Sequence, residues 1–118
     1  MGQSRFDPKQ LGRAGEQRAR NWYLSNGYEL LEANWRCPDG EIDLILTRGD
    51  CVVFAEVKTR TSDRYGTPFQ AVDSRKQRKL RQLIGQWLKQ NPSGAFRTIR
   101  IDVVAVVGTT VEVREGVV

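Results

Sequence analysis

Two apolar runs of about ten residues, joined by Arg48-Gly49-Asp50, dominate the sequence: GEIDLIL-T before the turn and CVVFAEVKTR after it. Glu41–Thr47 alternates with the period of a strand, which predicts Ile42, Leu44 and Leu46 on one face and Glu41, Asp43 and Ile45 on the other. Cys51–Arg60 is the second strand. With Arg48–Cys51 as a four-residue loop, residues whose numbers sum to 99 face each other, so Asp43 stands opposite Glu56, about 5 Å away at Cβ. Glu56 and Lys58 share a face because side chains alternate along a strand. Three ionisable groups therefore meet inside otherwise apolar strands.

Flanking segments fill in the rest. Residues 9–26 read as a helix, opened by Asp7-Pro8 and stopped at Gly27, with Leu11, Gly15, Ala19, Trp22 and Tyr23 as its apolar stripe. Tyr28–Arg36 reads as extended and Cys37-Pro38-Asp39-Gly40 as a turn. Asp63–Pro68 reads as a loop and Ala71–Lys89 as a long helix. Thr98–Val107 and Thr110–Arg114 are strands joined at Gly108-Thr109. The order α-β-β-β-α-β-β predicts an α/β fold with a mixed central sheet flanked by helices. At 118 residues the chain is expected to be one domain, with its core at about 9–115.

What is missing narrows the chemistry. There is no histidine, which excludes a Ser-His-Asp triad, a Cys-His pair and any imidazole ligand. Two cysteines, Cys37 and Cys51, cannot make a four-thiolate zinc site. No apolar run approaches a membrane span, and the N-terminal segment has no signal-peptide core. A reduced, cytoplasmic protein with no membrane partner is expected. The chemistry must then run on carboxylates, lysine, arginine, hydroxyls and a hard metal ion.

The charge is unevenly distributed. The net charge is +5, yet seven of the 14 acids lie between residues 29 and 56, against only Arg36 and Arg48. Residues 1–20 carry five bases against two acids, and residues 73–90 carry six bases against Asp73 alone. A basic surface attracts polyanions, whereas an acidic pocket within it repels phosphate unless a cation sits there. Two facing carboxylates either share a proton or hold a cation between them. Mg²⁺ suits such a place, with Asp43, Glu56 and the backbone carbonyl of Val57 as ligands and Lys58 beside it to orient a water or meet charge on a phosphate. The plain alternative is a solvated cross-strand cluster of Asp43, Lys58 and Glu56. The apolar flanks weigh against it, because buried charges are retained mainly for function or in costly pairs.

Asp43, twelve intervening residues, then Glu56-Val57-Lys58 resembles the PD-(D/E)xK nuclease signature. The strings LGRAGEQRARNWYLSNGYELLEANWR, GEIDLI, VVFAEVKTR and RIDVVAV resemble the YraN-like family of uncharacterised bacterial proteins across roughly residues 11–107. That family is similar in turn to archaeal Holliday-junction resolvases and to the restriction-endonuclease-like fold. The resemblance implies a Mg²⁺- or Mn²⁺-dependent endonuclease acting on DNA, including branched or junction DNA. It matches Asp43 and Glu56 to the metal-binding acids, Lys58 to the catalytic lysine and Glu16 to a further acid near the metal. Lys76 falls where related nucleases place a Lys or Gln. Ile42 stands where the signature has proline, as in many members. A junction substrate needs two sites, hence a homodimer.

Glu16 also has a plainer role open to it, pairing with Arg13 or Arg20 one turn away. Gly12 and Gly15 flank it in a helix where each costs about 1 kcal/mol against alanine, so close approach to the sheet is expected at both. Arg13, Arg36, Arg75, Lys76 and Lys79 are the expected phosphate contacts, with Asn34 beside Arg36. Trp22, Trp35 and Trp87 are expected in the core, and Asp102 in an ion pair with Arg97 or Arg100. The competing function is a nucleic-acid-binding protein whose site does not cut. A third is an adaptor whose basic helix meets an acidic protein.

Overall fold

The computed structural model describes residues 8–60, 74–92 and 96–116, with the side chains of all but residues 8–11 and 74. The expected Asp7 cap, the 63–68 loop and Asp73 lie outside the described residues.

Seven elements follow in the order read from the sequence: α1 Pro8–Ser25, β1 Glu29–Cys37, β2 Gly40–Arg48, β3 Cys51–Arg60, α2 Ser74–Gln90, β4 Thr98–Val107 and β5 Thr110–Arg114. They form a five-stranded mixed sheet in spatial order β1-β2-β3-β4-β5, antiparallel except for the parallel pair β3–β4, which α2 connects. This is the α/β arrangement, helices flanking a mixed sheet, expected for a restriction-endonuclease-like chain.

Local chemistry accounts for the ends. Gly27 takes φ +85, and Tyr28 N–H reaches back to the Tyr23 carbonyl at 3.1 Å, closing α1. Gly49 takes φ +61 in a two-residue turn, shorter than the four-residue loop expected, because Arg48 pairs with Cys51. The register is still the one that sums to 99, running from Arg48↔Cys51 to Leu44↔Ala55.

The sheet buries a cluster on each face. On one side Ala19 and Tyr23 of α1 pack on Leu44, Leu46, Val53, Ala55, Val104 and Val106. On the other, Leu80, Leu83, Ile84 and Trp87 of α2 pack on Trp35, Ile42, Ile45, Val52, Phe54 and Ile101. Trp35 and Trp87 are core, as expected, and Trp22 is partly buried against the α1 cluster. The expected faces of β2 need correcting. Ile42 joins Ile45 on the α2 side, while Leu44 and Leu46 face α1. Two residues one step apart in alternation thus lie on opposite faces, so β2 turns over at Asp43.

Asp102 is fully buried, the one such charged residue among those described. Tyr23 Oη donates to it at 2.7 Å, Arg100 Nε and Nη2 at 2.9 Å each, and Gly116 N–H at 3.1 Å. Of the two expected partners, Arg100 takes the carboxylate, and Arg97 instead lies 4.0 Å from Asp50. Burial, then the Asp102 charge, pushes the Tyr23 hydroxyl far above its usual range. This network ties α1, β4 and the segment after β5 together.

Candidate active site

The site forms where β2 and β3 part. Their last pair is Leu44↔Ala55. Asp43 and Glu56 are therefore not a ladder pair, as the arithmetic alone expects; they stand one step beyond it, at the opening of a gap. Had the ladder continued, Val57 would face Ile42 and donate to its carbonyl. Instead Val57 N–H donates to Asp43 Oδ2 at 2.8 Å. A carboxylate thus satisfies the main-chain donor that the separation releases.

The gap opens into a cleft of about 650 Å³, lined by Glu16 from α1, Asp39 from the turn before β2, Gly40–Asp43 from the start of β2, Ala55–Lys58 from β3, and Arg75, Lys76, Lys79, Leu80 and Leu83 from α2. Gly40, at φ +150, lets α2 lie close: a Cβ there would come within 3.3 Å of Leu83.

Glu16 reaches the cleft because α1 sits tightly on β3. A Cβ at Gly15 would overlap the Thr59 side chain, so the residue before Glu16 has to be glycine for this approach. Gly12 meets nothing within 4 Å, and the close contact expected there is absent.

Electrostatics within the cleft are unbalanced. Burial pushes the Asp43 carboxyl up to about 6, against the bond from Val57 that favours its charge; Glu16, Glu56 and Glu41 add repulsion in the same direction as burial. Glu56 is partly compensated, since Lys58 Nζ lies 2.9 Å from its Oε1 with both side chains about three-quarters buried.

The donor set is all oxygen: the carboxylates of Asp43 and Glu56, with Glu16 nearby, and the Val57 carbonyl. Hard divalent cations take such ligands, and a cation would offset the repulsion from Glu16, Glu56 and Glu41 that adds to burial in holding Asp43 up. Among the described residues no three acidic or cysteine side chains lie together as a group that could hold a metal ion, so any cation here would rest on Asp43, Glu56 and main-chain oxygen.

The expected site residues separate into two groups. Glu16, Asp43, Glu56, Val57, Lys58, Arg75, Lys76 and Lys79 line one cleft. Arg13 is exposed and does not line it. Arg36 pairs across the strands with Glu41 at 2.9 Å and borders a separate shallow hollow with Cys37 and Pro38. Sequence reasoning passed over Asp39 and Glu41. Their signal was present, since both adjoin Gly40 at the tight turn that leads into Asp43.

The geometry can be set beside known proteins. The model of a family described as uncharacterised protein family UPF0102 matches residues 15–106. The chain belongs to the UPF0102 family. Its relatives include UPF0102 proteins of Beutenbergia cavernae, 48% identical with 84% of this chain and 83% of the relative covered, and of Mycolicibacterium vanbaalenii, 50% identical with 82% and 79% covered. A UPF0102 protein of Paenarthrobacter aurescens is 48% identical, with 82% and 79% covered. The UPF0102 match takes in Glu16, Asp43, Glu56 and Lys58 together. No helix among the described residues of this UPF0102 chain is long and apolar enough to cross a membrane.

Proposed function

We propose that this UPF0102 chain is a divalent-metal-dependent phosphodiesterase acting on DNA, with branched or junction DNA among the substrates to be tried. One observation carries the reading: Asp43 and Glu56 flank the strand gap beside Lys58, in a cleft whose α2 wall presents Arg75, Lys76 and Lys79. An acidic floor beneath a cationic wall is the arrangement phosphodiester hydrolysis needs, with the acids for a cation and the bases for the backbone.

The residues divide the work. Asp43 has one oxygen held by Val57 N–H, which fixes the other for a ligand. Glu56 and the Val57 carbonyl would add further oxygen ligands, with Glu16 lining the same cleft. Mg²⁺ or Mn²⁺, when bound, supplies charge neutralisation at the scissile phosphate and acidifies an attacking water. Lys58 leaves Glu56 for the phosphate, where its ammonium meets developing negative charge. Arg75, Lys76 and Lys79 hold flanking phosphates without reading bases.

Mn²⁺ titration by calorimetry into wild type, Asp43→Ala and Lys58→Ala, followed by cleavage assays on duplex, flapped and four-way DNA, tests the proposal. Metal binding lost in Asp43→Ala, and cleavage lost in both variants with the fold intact, is the expected result. Cleavage that survives both substitutions overturns it.

A second reading has one observation in its favour. The Lys58–Glu56 ion pair, at 2.9 Å, engages two of the groups that catalysis would need free. In that reading the cleft binds nucleic acid without cutting. DNA binding equal in wild type and Lys58→Ala, with no cleavage by either, selects it.

A further inference from the structure

We infer that Asn34, an exposed residue on the outermost strand, is the positioning residue that turns Asp43 across the gap toward Val57. Its functional weight rests on the role proposed for Asp43, whereas the geometric claim stands by itself.

The pairs Ala33↔Leu44 and Trp35↔Ile42 bracket Asn34 and Asp43 in the β1–β2 register. In a regular strand, residues two apart share a face. Here they do not. Ala33 and Leu44 pack in the α1 cluster, whereas Trp35 and Ile42 pack in the α2 cluster. Both strands turn over together, between those two pairs and with no residue gained or lost in the register. Asn34 has φ 54, the only positive φ at a non-glycine position among the described residues. Asp43 itself does not share it, so the unusual backbone lies on β1 and its partner strand follows. The bulge at Leu31 is not the cause, because Glu32↔Ile45 and Ala33↔Leu44 pair normally after it.

Asparagine is suited to this task. After glycine, it is among the residues that most readily enter the left-handed region. Its side chain is exposed and has no hydrogen-bond partner among the described residues, so its contribution is conformational. The consequences appear on β2 at the same level. Ile42 turns into the α2 cluster, pairing with β3 ends at Leu44↔Ala55, and the Asp43 carboxylate takes the Val57 N–H that the Ile42 carbonyl would have received. One left-handed residue on β1 thus sets the direction of a carboxylate on the next strand.

The test separates φ from side-chain chemistry. Asn34→Gly keeps the left-handed conformation accessible, and Asn34→Val denies it, since β-branched residues rarely adopt it. The readout is the Val57 amide, by NMR chemical shift and hydrogen exchange, with the Val53 amide as the control within the same strand and Asp43→Ala as the reference for a lost bond. In Asn34→Val, Val57 should move toward its Asp43→Ala position and lose about tenfold in protection beyond any loss at Val53. Asn34→Gly should match wild type. Asn34→Ala, a milder change, gives the same comparison if Asn34→Val does not fold. Val57 unchanged in the valine or alanine variant, or falling only in step with Val53, overturns the inference. Where wild type binds Mn²⁺, the valine variant should bind it about tenfold more weakly and the glycine variant as wild type does. If wild type binds no Mn²⁺, the metal reading fails, and the Val57 amide still decides the role of Asn34.

Discussion

Asp43 Oδ2 accepts the Val57 N–H at 2.8 Å in the position a main-chain carbonyl would hold had β2 and β3 stayed paired. The contact joins structure to chemistry. It satisfies a backbone donor at the mouth of the gap, and it fixes a carboxylate in a place where burial and three other acids disfavour its charge. A carboxyl held up to about 6 in the folded chain, against 3.8 unfolded, opposes folding once it must ionise.

Stability should therefore respond to pH at this one residue. Below the unfolded value both states are protonated and the residue has no effect. As pH rises from about 4 to about 6, the unfolded chain loses its proton first, and folding becomes less favourable by up to about 3 kcal/mol. Asp43→Asn keeps an acceptor for Val57 and removes the charge. In metal-free buffer it should raise unfolding free energy at pH 8, by about 1–3 kcal/mol, and leave it unchanged at about pH 3. Urea denaturation at the two pH values measures the difference. A gain that is the same at both would mean that ionisation of Asp43 has no part in it.

The two glycines around Glu16 should behave oppositely. Gly15→Ala forces a methyl into Thr59, which costs about 1–3 kcal/mol by overpacking, and Thr59→Gly should recover part of that loss. Gly12→Ala meets open space and should gain up to about 1 kcal/mol from helix propensity. Thermal unfolding of Gly15→Ala, of Gly15→Ala with Thr59→Gly, and of Gly12→Ala checks the pair, and a stabilising Gly15→Ala would remove the reason given for α1's close approach.

The Asp102 network should be expensive to break and cheap to trim. Asp102→Ala removes the buried partner of Arg100, leaving it Glu115 at 3.3 Å and the Tyr28 hydroxyl, and should cost about 3–5 kcal/mol. Tyr23→Phe removes one of four hydrogen bonds to the carboxylate and should cost about 1–3 kcal/mol. Denaturant midpoints for both variants, compared at equal slope, test the ordering.

DNA affinity should divide along the line the cleft draws. Arg75→Ala and Lys79→Ala should each weaken binding and reduce the slope of log K against log salt by about 1. Arg36 is already paired with Glu41, so Arg36→Ala should reduce the slope by less. Fluorescence anisotropy across a salt series reads these slopes. Equal effects at Arg36 and Lys79 would argue against the cleft as the place where the backbone lies.

The strands and their register were legible because turn residues and alternation leave few choices; β3, β4 and β5 begin and end where the sequence put them. Asp43 and Glu56 stood out as charges in apolar strands, and Gly15 as a glycine at a cost within a helix. The turnover at Asn34 was not legible. Alternation assumes regular backbone, and whether an asparagine adopts φ 54 or an ordinary extended conformation is decided by packing across two strands. Nor did periodicity separate Gly12 from Gly15, since both interrupt the helix alike and only the neighbouring strand distinguishes them. Arg36 was read as a phosphate contact because the cross-strand position of Glu41 depends on a two-residue turn closing at Cys37↔Gly40.

The unequal pairing of β3 has a mechanical consequence. Along β4 it is held by a register of ten consecutive pairs, from Cys51↔Thr98 to Arg60↔Val107, while β2 leaves it at Leu44↔Ala55. Under a load that draws β2 from β3, bonds at the parted end bear the force singly, and the first to bear it is the one from Val57 to Asp43. The sheet would thus unzip from the cleft toward the Gly49 turn, and a ligand bridging Asp43 and Glu56 would act as a rivet at the end of the seam.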